Sequence, residues 1–179
     1  MFLNKLHILI FMTTKSLLRN ILILSIVLCN IGCDQVSKEA VRNNIAVNEI
    51  INVIDNHLVL THVENTGAFL SLGDSLPKPT RNILLSLVPV IALAFGLVYI
   101  IRERKIYGVN LWALCFIIGG GIGNIFDRVV FGSVTDFLHI DLGLFETGIF
   151  NMADISITTG ALILLANTLY KNYRNRMLT

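Results

Sequence analysis

Long apolar runs broken by short polar connections dominate this chain of 179 residues. Four of them span residues 17–33, 83–101, 111–131 and 152–170. Each is close to the ~20 residues that a helix needs to cross ~30 Å of hydrocarbon. A further apolar stretch, residues 1–12, precedes the first. Pro89 falls inside the second run and predicts a kink there, which membrane helices tolerate. Between the first and second runs the pattern changes. Residues 45–75 are rich in strand formers, among them Leu58, Val59, Leu60, Thr61 and Val63, and Glu64-Asn65-Thr66-Gly67 reads as a turn or strand bend. The pattern therefore predicts a mainly α membrane protein: one integral domain over residues 1–179, four transmembrane helices, and a small sheet lying on the membrane surface. Residues 74–79 are expected to form a loop.

Composition agrees with this reading. Hydrophobic residues make up 54% of the chain, charged residues 15%, and mean hydropathy is +0.72, whereas soluble domains carry ~25% charge. The net charge of +2 is uninformative, but its distribution is not. Lys5, Lys15, Arg19, Arg102, Arg104, Lys105, Lys171, Arg174 and Arg176 all flank the spans on one side, with Glu103 the single acid there. The other side holds five basic residues and eleven acids. The positive-inside rule then places both termini in the cytoplasm and residues 34–81 and 127–154 outside it. Cys29, Cys33 and Cys115 lie in apolar segments without metal-ligand spacing, so no disulfide framework is expected. A basic start, an apolar core and Asn30-Ile31-Gly32-Cys33 imitate a lipoprotein signal sequence. Asn30, polar at an apolar position, and the three later spans argue against that reading.

The polar residues near the outer ends of the helices are the candidate chemistry, because an ionisable group in hydrocarbon costs at least ~2.5–3.5 kcal/mol. Asp34 and Lys38 are four apart on an outward continuation of the first helix, acid first. Asn124, Asp127 and Arg128 form a polar stripe at helical spacing on the third, with Gly120 on the same face and Gly119/Gly123 at small-xxx-small spacing. Adjacent residues diverge on a helix, so Asp127 and Arg128 do not neutralise each other. Periodicity alone nominates Asp127 as a catalytic acid. Asp136 lies just past that helix, where spacing alone leaves an ordinary loop aspartate and a site residue equally open. Asp141 and Glu146 read as surface acids. Asp136 and His139 lack the further ligands that a metal site needs. Asn151 is placed to cap the fourth helix, with Asp154 near its positive end and Thr158 continuing the face. Two carboxylates entering one membrane-embedded site suggest a shared proton and hydrolysis by an aspartic mechanism. Intramembrane acids beside a glycine-rich helix also suit a small transporter, although no inverted repeat is visible. A non-catalytic assembly factor is the third reading.

Five blocks occur in an informative order: Asp34-Gln35-x-x-Lys38, Asn65-Thr66-Gly67-Ala68-Phe69, Gly119-Gly120-x-x-Gly123-Asn124-x-x-Asp127-Arg128, Val134-x-Asp136-Phe137 and Phe150-Asn151-x-Ala153-Asp154. Together they resemble the lipoprotein signal peptidase family, signal peptidase II. The resemblance implies four membrane helices with an extracytoplasmic β-cradle. It implies an aspartic endopeptidase of the bacterial inner membrane that cuts diacylglyceryl-modified prolipoproteins before the lipidated cysteine. It places catalysis on Asp136 and Asp154, and substrate binding or support on Asp34, Lys38, Asn65, Gly67, Asn124, Asp127, Arg128, Asn151 and Ala153, so that Asp127 is expected to support the third helix and position Arg128 rather than to act as the acid. It implies no cofactor and no metal. Its partners are prolipoproteins, membrane lipids and cyclic-peptide inhibitors of the globomycin type, with no nucleic acid. The segment before Asp34 exceeds the family pattern, and Met12-Thr13-Thr14-Lys15 reads as an alternative start.

Overall fold

In the computed structural model, residues 2–54, 57–68 and 73–178 are described, with side chains described from Thr14 onward. Helix α1 (Phe2–Asn44) is a single 43-residue helix, about 65 Å long at ~1.5 Å per residue. It is therefore much longer than the span at 17–33, and its last eleven residues carry Asp34, Lys38 and Arg42 beyond the apolar segment. Strands β1 (Ile50–Ile54) and β2 (Leu58–Asn65) follow. Helix α2 (Lys78–Asn82), a π turn (Ile83–Leu87) and α3 (Val88–Arg102) run on as one span. Helix α4 is Val109–Val130, strand β3 is Val134–Ile140, and α5 is Met152–Met177. Four helical segments are thus long and apolar enough to cross a membrane.

Three boundaries differ from expectation. The second span begins at Lys78, so Lys78 and Pro79 are helical rather than part of a loop. Pro79 sits in the first turn, where a missing N–H removes no intrahelical bond. Pro89 acts further along. It cannot donate to the ladder, and the turn immediately before it widens to a π turn. Within 45–75, strand structure is confined to β1 and β2 among the described residues; residues 55–56 and 69–72, including Phe69, lie outside them. Finally, Asp136 is on a strand, not in a loop.

The sheet is antiparallel with order β1-β2-β3. Ile50 pairs with Thr61, and Leu60 with Leu138. The β2–β3 register then shifts between Leu60 and Val63, so that Val63 faces Asp136, Glu64 faces Thr135 and Asn65 faces Val134. This bulge adds a residue to β2 and swaps which side chains of that strand face the membrane helices.

Helix α4 is the hub of the bundle, packed against α1, α3 and α5. Its glycines permit that. A Cβ at Gly120 would overlap the Ala153 carbonyl of α5, and one at Gly123 would overlap the Asp34 carboxylate of α1. Away from the sheet the core is apolar: Ile23, Val27, Ile100, Leu111, Cys115 and Ile118 form one cluster. Toward the sheet it becomes polar, and Lys38, Asp34, Asp127, Thr135 and Asn151 are among the largest fully buried side chains. The outward faces of the helices are strongly apolar, as at Leu28 and Phe95 (64% and 76% exposed), which suits contact with lipid.

At the far end from the sheet, Arg19 of α1 caps α3. Its guanidinium donates to the carbonyls of Ile100 (2.8 Å) and Ile101 (3.3 Å), oxygens that the helix end leaves without intrahelical partners, and to those of Glu103 (3.0 Å) and Ile106 (3.0 Å) just beyond it. Arg19→Ala is expected to destabilise the protein by about 2 kcal/mol, the scale of charge-assisted bonds. It should speed amide exchange over residues 103–107 and leave the sheet end unchanged. Unaltered exchange there would show that the cap is redundant.

Candidate active site

Helix α5 begins with a capping box. Asn151 Oδ1 accepts from the Asp154 N–H (3.0 Å), and the Asn151 N–H donates back to Asp154 Oδ2 (3.1 Å). The cap expected at Asn151 is therefore present, and it fixes one oxygen of Asp154. The other, Oδ1, accepts from Asn124 Nδ2 at 2.8 Å. Asp136 reaches the same place from β3. Its Oδ1 accepts from Asn151 Nδ2 (2.6 Å) and its Oδ2 from Asn65 Nδ2 (2.9 Å). Asn151 thus touches both aspartates, one through its backbone and one through its side chain. A cavity of about 30 Å³ separates them, lined by Asp136, Asp154, Asn65, Asn124, Arg128 and Ile149 together with Ala68 and Val134. That is room for a water molecule. Asp136 is 3% exposed. Its burial pushes the carboxyl from an ordinary 3.8 up to about 6, and the Asp154 charge adds to this. The amide donors of Asn65 and Asn151, and Lys38, oppose the shift.

Beneath the pair lies a charged cluster with no exposure. Lys38 Nζ meets Asp34 Oδ2 (2.8 Å), Asp127 Oδ2 (3.0 Å) and Asn124 Oδ1 (2.9 Å). All three ammonium hydrogens are therefore used. Asp34 Oδ1 also accepts from the Ala153 N–H (2.9 Å), tying α1 to the start of α5. Asp127 accepts from Gln35 Nε2 (3.0 Å) and from the Thr135 N–H (3.3 Å), tying α4 to β3. The link to the aspartates is Asn124. Its oxygen is occupied by Lys38 and by Asn151 Nδ2 (3.1 Å), so its nitrogen must point at Asp154.

Arg128 donates to the Gly67 carbonyl (2.8 Å) and to the Asn124 carbonyl (3.5 Å). The segment after β2 is also held by Asn65, which donates to Ala68 O (3.2 Å) and accepts from the Gly67 N–H (3.0 Å). Asp127 makes its hydrogen bonds to Gln35, Lys38 and Thr135, not to Arg128. The expectation that Asp127 positions Arg128 is therefore replaced: one helical stripe carries both, but Asp127 turns toward α1 and Arg128 toward the segment after β2. Asp141 is half-buried and Glu146 exposed, and their backbones form an isolated bridge away from the pair. Among the described residues no group of three His, Cys, Asp or Glu side chains is arranged to hold a metal. Three participants escaped the sequence reading. Thr135 and Ile149 carry no local signal, whereas Gln35, beside Asp34 in the first block, joins Asp34 and Asp127 and was available there.

Four helices long and apolar enough to cross a membrane, with one buried and one half-buried carboxylate held by amide donors near the sheet, define a multi-pass membrane protein. The chain matches the family described as Signal peptidase (SPase) II over residues 26–170. It is 31% identical over 138 residues to a lipoprotein signal peptidase of Syntrophus aciditrophicus, covering 77% of this chain and 86% of that one. It is 32% identical over 151 residues to one of Clostridioides difficile, covering 84% and 97%. Two solved structures described as bacterial membrane enzymes, determined in meso, share the fold. One has a TM-score of 0.74 at 24% identity, over 84% of this chain and 88% of that one; the other has 0.70 at 25%, over 82% and 92%. This chain belongs to the signal peptidase II family, and it is a membrane peptidase.

Proposed function

We propose that this peptidase removes signal peptides from diacylglyceryl-modified prolipoproteins, cutting before the lipidated cysteine, by an aspartic mechanism carried by Asp136 and Asp154. The observation that carries the reading is the water-sized cavity lined by both carboxylates, with every carboxylate oxygen held by an amide or peptide donor. Two neighbouring carboxyls in one buried site share a proton, because both cannot ionise cheaply. The ionised member takes a proton from the attacking water. The protonated one donates to the scissile carbonyl and then helps protonate the leaving amine. The raised proton affinity of Asp136 suits this exchange, while the apparent constants belong to the pair. Beside Asp154, a groove of about 480 Å³ lined by Phe150, Ile155, Thr158 and Thr159 runs along the outer half of α5 and suits the apolar part of the substrate. Arg128 and Asn65 are the polypeptide-binding groups. The test is incubation of purified protein with a diacylglyceryl-modified prolipoprotein: the expected result is a shortened lipoprotein from the wild type and none from Asp154→Asn. Cleavage unaffected by that substitution would overturn the assignment. EDTA should leave the rate unchanged; loss restored by a divalent metal would also overturn it.

We place the protein in the bacterial inner membrane with both termini in the cytoplasm and the sheet outside. The support is the charge asymmetry: Arg102, Arg104 and Lys105 join α3 to α4, and Lys171, Arg174 and Arg176 end α5. A Lys105→Cys probe on a cysteine-free background should resist an impermeant thiol reagent applied to intact cells. Labelling from outside would invert the topology.

A further inference from the structure

Behind β2 and β3, on the side away from the dyad, lies a polar network that the reaction as described does not use. His62 is buried, at 6% exposure. Its Nδ1 is 2.8 Å from the Ile45 carbonyl just past α1, and its Nε2 is 2.9 Å from Glu64 Oε1. Neither partner can donate. A neutral imidazole donates from one nitrogen only, so both contacts are satisfied only by the imidazolium. Glu64 in turn spans the β2–β3 pair. It accepts from Thr135 Oγ1 on β3 (3.0 Å) and from Ser133 Oγ just before that strand. Burial works against its ionisation, but the bonds from Ser133, His62 and Thr135 prevail, holding its carboxyl below the ordinary value.

The network sits on the β2 bulge. His62 lies inside the register shift, Glu64 pairs with Thr135, and the next residue, Asn65, donates to Asp136. Without the extra residue, Asn65 would turn away from the dyad and Glu64 toward it, because side chains alternate along a strand. We propose that protonated His62, acting through Glu64, locks this bulge and so holds Asn65 against Asp136, making the His62–Glu64 pair a positioning device that releases when the imidazole loses its proton. A neutral ring must drop either the Ile45 carbonyl or the Glu64 carboxylate. The charged groups facing the network are few. From α1 come Arg42, which donates to Thr135 Oγ1 (3.0 Å), and Glu39, which pairs with Arg42 (3.4 Å). Glu49 accepts from the Ala46 N–H in the turn after α1, and Asp127 of α4 lies behind the Thr135 N–H. Asp136 is on the opposite face of β3.

This inference rests on the proposed cleavage reaction for its kinetic arm, and its spectroscopic arm stands without it. Full-length protein carrying ¹⁵N-histidine should show both His62 ring nitrogens protonated at low pH, with one proton lost as the pH rises. Labelled Asp136 should report, at its side-chain carbon, a second change as His62 deprotonates. In the cleavage assay the alkaline side of kcat should carry a step that follows His62, beside the step in which the Asp136/Asp154 pair loses its shared proton. Glu64→Gln keeps the side-chain shape but removes the charge facing the imidazolium. It should move that alkaline midpoint, and the Asp136 signal with it, down by about one pH unit, a tenfold change in proton affinity, and leave the acid limb in place. His62→Ala should remove that step, leave the step of the aspartate pair itself, and lower kcat about tenfold, the scale of a small misplacement, with KM little changed. An Asp136 signal that does not respond as the His62 ring loses its proton, or an alkaline midpoint identical in Glu64→Gln and wild type, would overturn the proposal. Should no substrate be cleaved by the wild type, the proposed reaction fails. The ring nitrogens and the Asp136 signal would then still decide whether the latch exists.

Discussion

Lys38→Met is expected to destabilise the protein by about 3–5 kcal/mol, the largest stability effect of any single substitution considered. The lysine is fully buried between Asp34 and Asp127, and removing one partner leaves uncompensated charge where water cannot reach it. The loss should extend to turnover. With Lys38 gone, the Asn124 amide is no longer held with its nitrogen on Asp154. Lys38→Arg should rescue little, because a planar guanidinium cannot place one nitrogen within 3.0 Å of three separate acceptors on this geometry. Adding Asp127→Asn to Lys38→Met should recover part of the stability, since it removes one stranded charge. Chemical denaturation in detergent micelles gives the comparison. Strict additivity of the two substitutions would show that the cluster does not act as a unit.

Asp136→Asn should lower cleavage by at least ~10⁴-fold, the upper range of a positioned acid–base group, and change how stability depends on pH. The folded carboxyl titrates near 6 against an ordinary 3.8. A raised carboxyl binds its proton more tightly in the folded state. Its contribution is therefore fully present below about pH 4 and is lost as pH rises through 6, by about 3 kcal/mol in all. The asparagine has no such loss. It does bring a second N–H toward the amide donors of Asn65 and Asn151, which costs roughly 1–3 kcal/mol at every pH. The variant should therefore be less stable than wild type at pH 4.5 and close the gap by pH 8. A gap that stays constant across that range would show that Asp136 is not held against ionisation.

Local periodicity carried the spans, the Asp34/Lys38 pair, the Asn124–Asp127–Arg128 stripe and the Asn151 cap. These are properties of a single helix or of its first turn, and spacing reports them directly. What spacing cannot report is which neighbour a polar face meets. Asp127 and Arg128 share a helix end, yet one turns to Lys38 on α1 and the other to Gly67 after β2. Strand β3 was missed for a related reason. Val134–Ile140 is short, and it becomes a strand only by pairing with β2, 71 residues away at the Asn65–Asp136 bond. Spacing alone therefore leaves Asp136 equally open as a loop residue and a site residue, and the family blocks supply its role but not its strand. The β2 bulge was equally hidden, since nothing in Thr61-His62 marks an extra residue before its partner strand is known. The proline-bearing start of α2 shows the opposite error: the expected loop over residues 74–79 takes in Pro79, although the first turn of a helix accepts a proline.

Whether the pair is Asp136 with Asp154, or Asp127 with Asp154, is the question that most directly tests the account. Asp127 has the helical spacing of a catalytic acid, but its oxygens are committed to Lys38, Gln35 and Thr135, while Asp136 lines the water-sized cavity with Asp154. Single-turnover cleavage of a diacylglyceryl-modified prolipoprotein by equal amounts of folded Asp127→Asn, Asp136→Asn and Asp154→Asn separates the two. The account predicts measurable cleavage by Asp127→Asn and none by the other two; an inactive Asp127→Asn beside an active Asp136→Asn would contradict it.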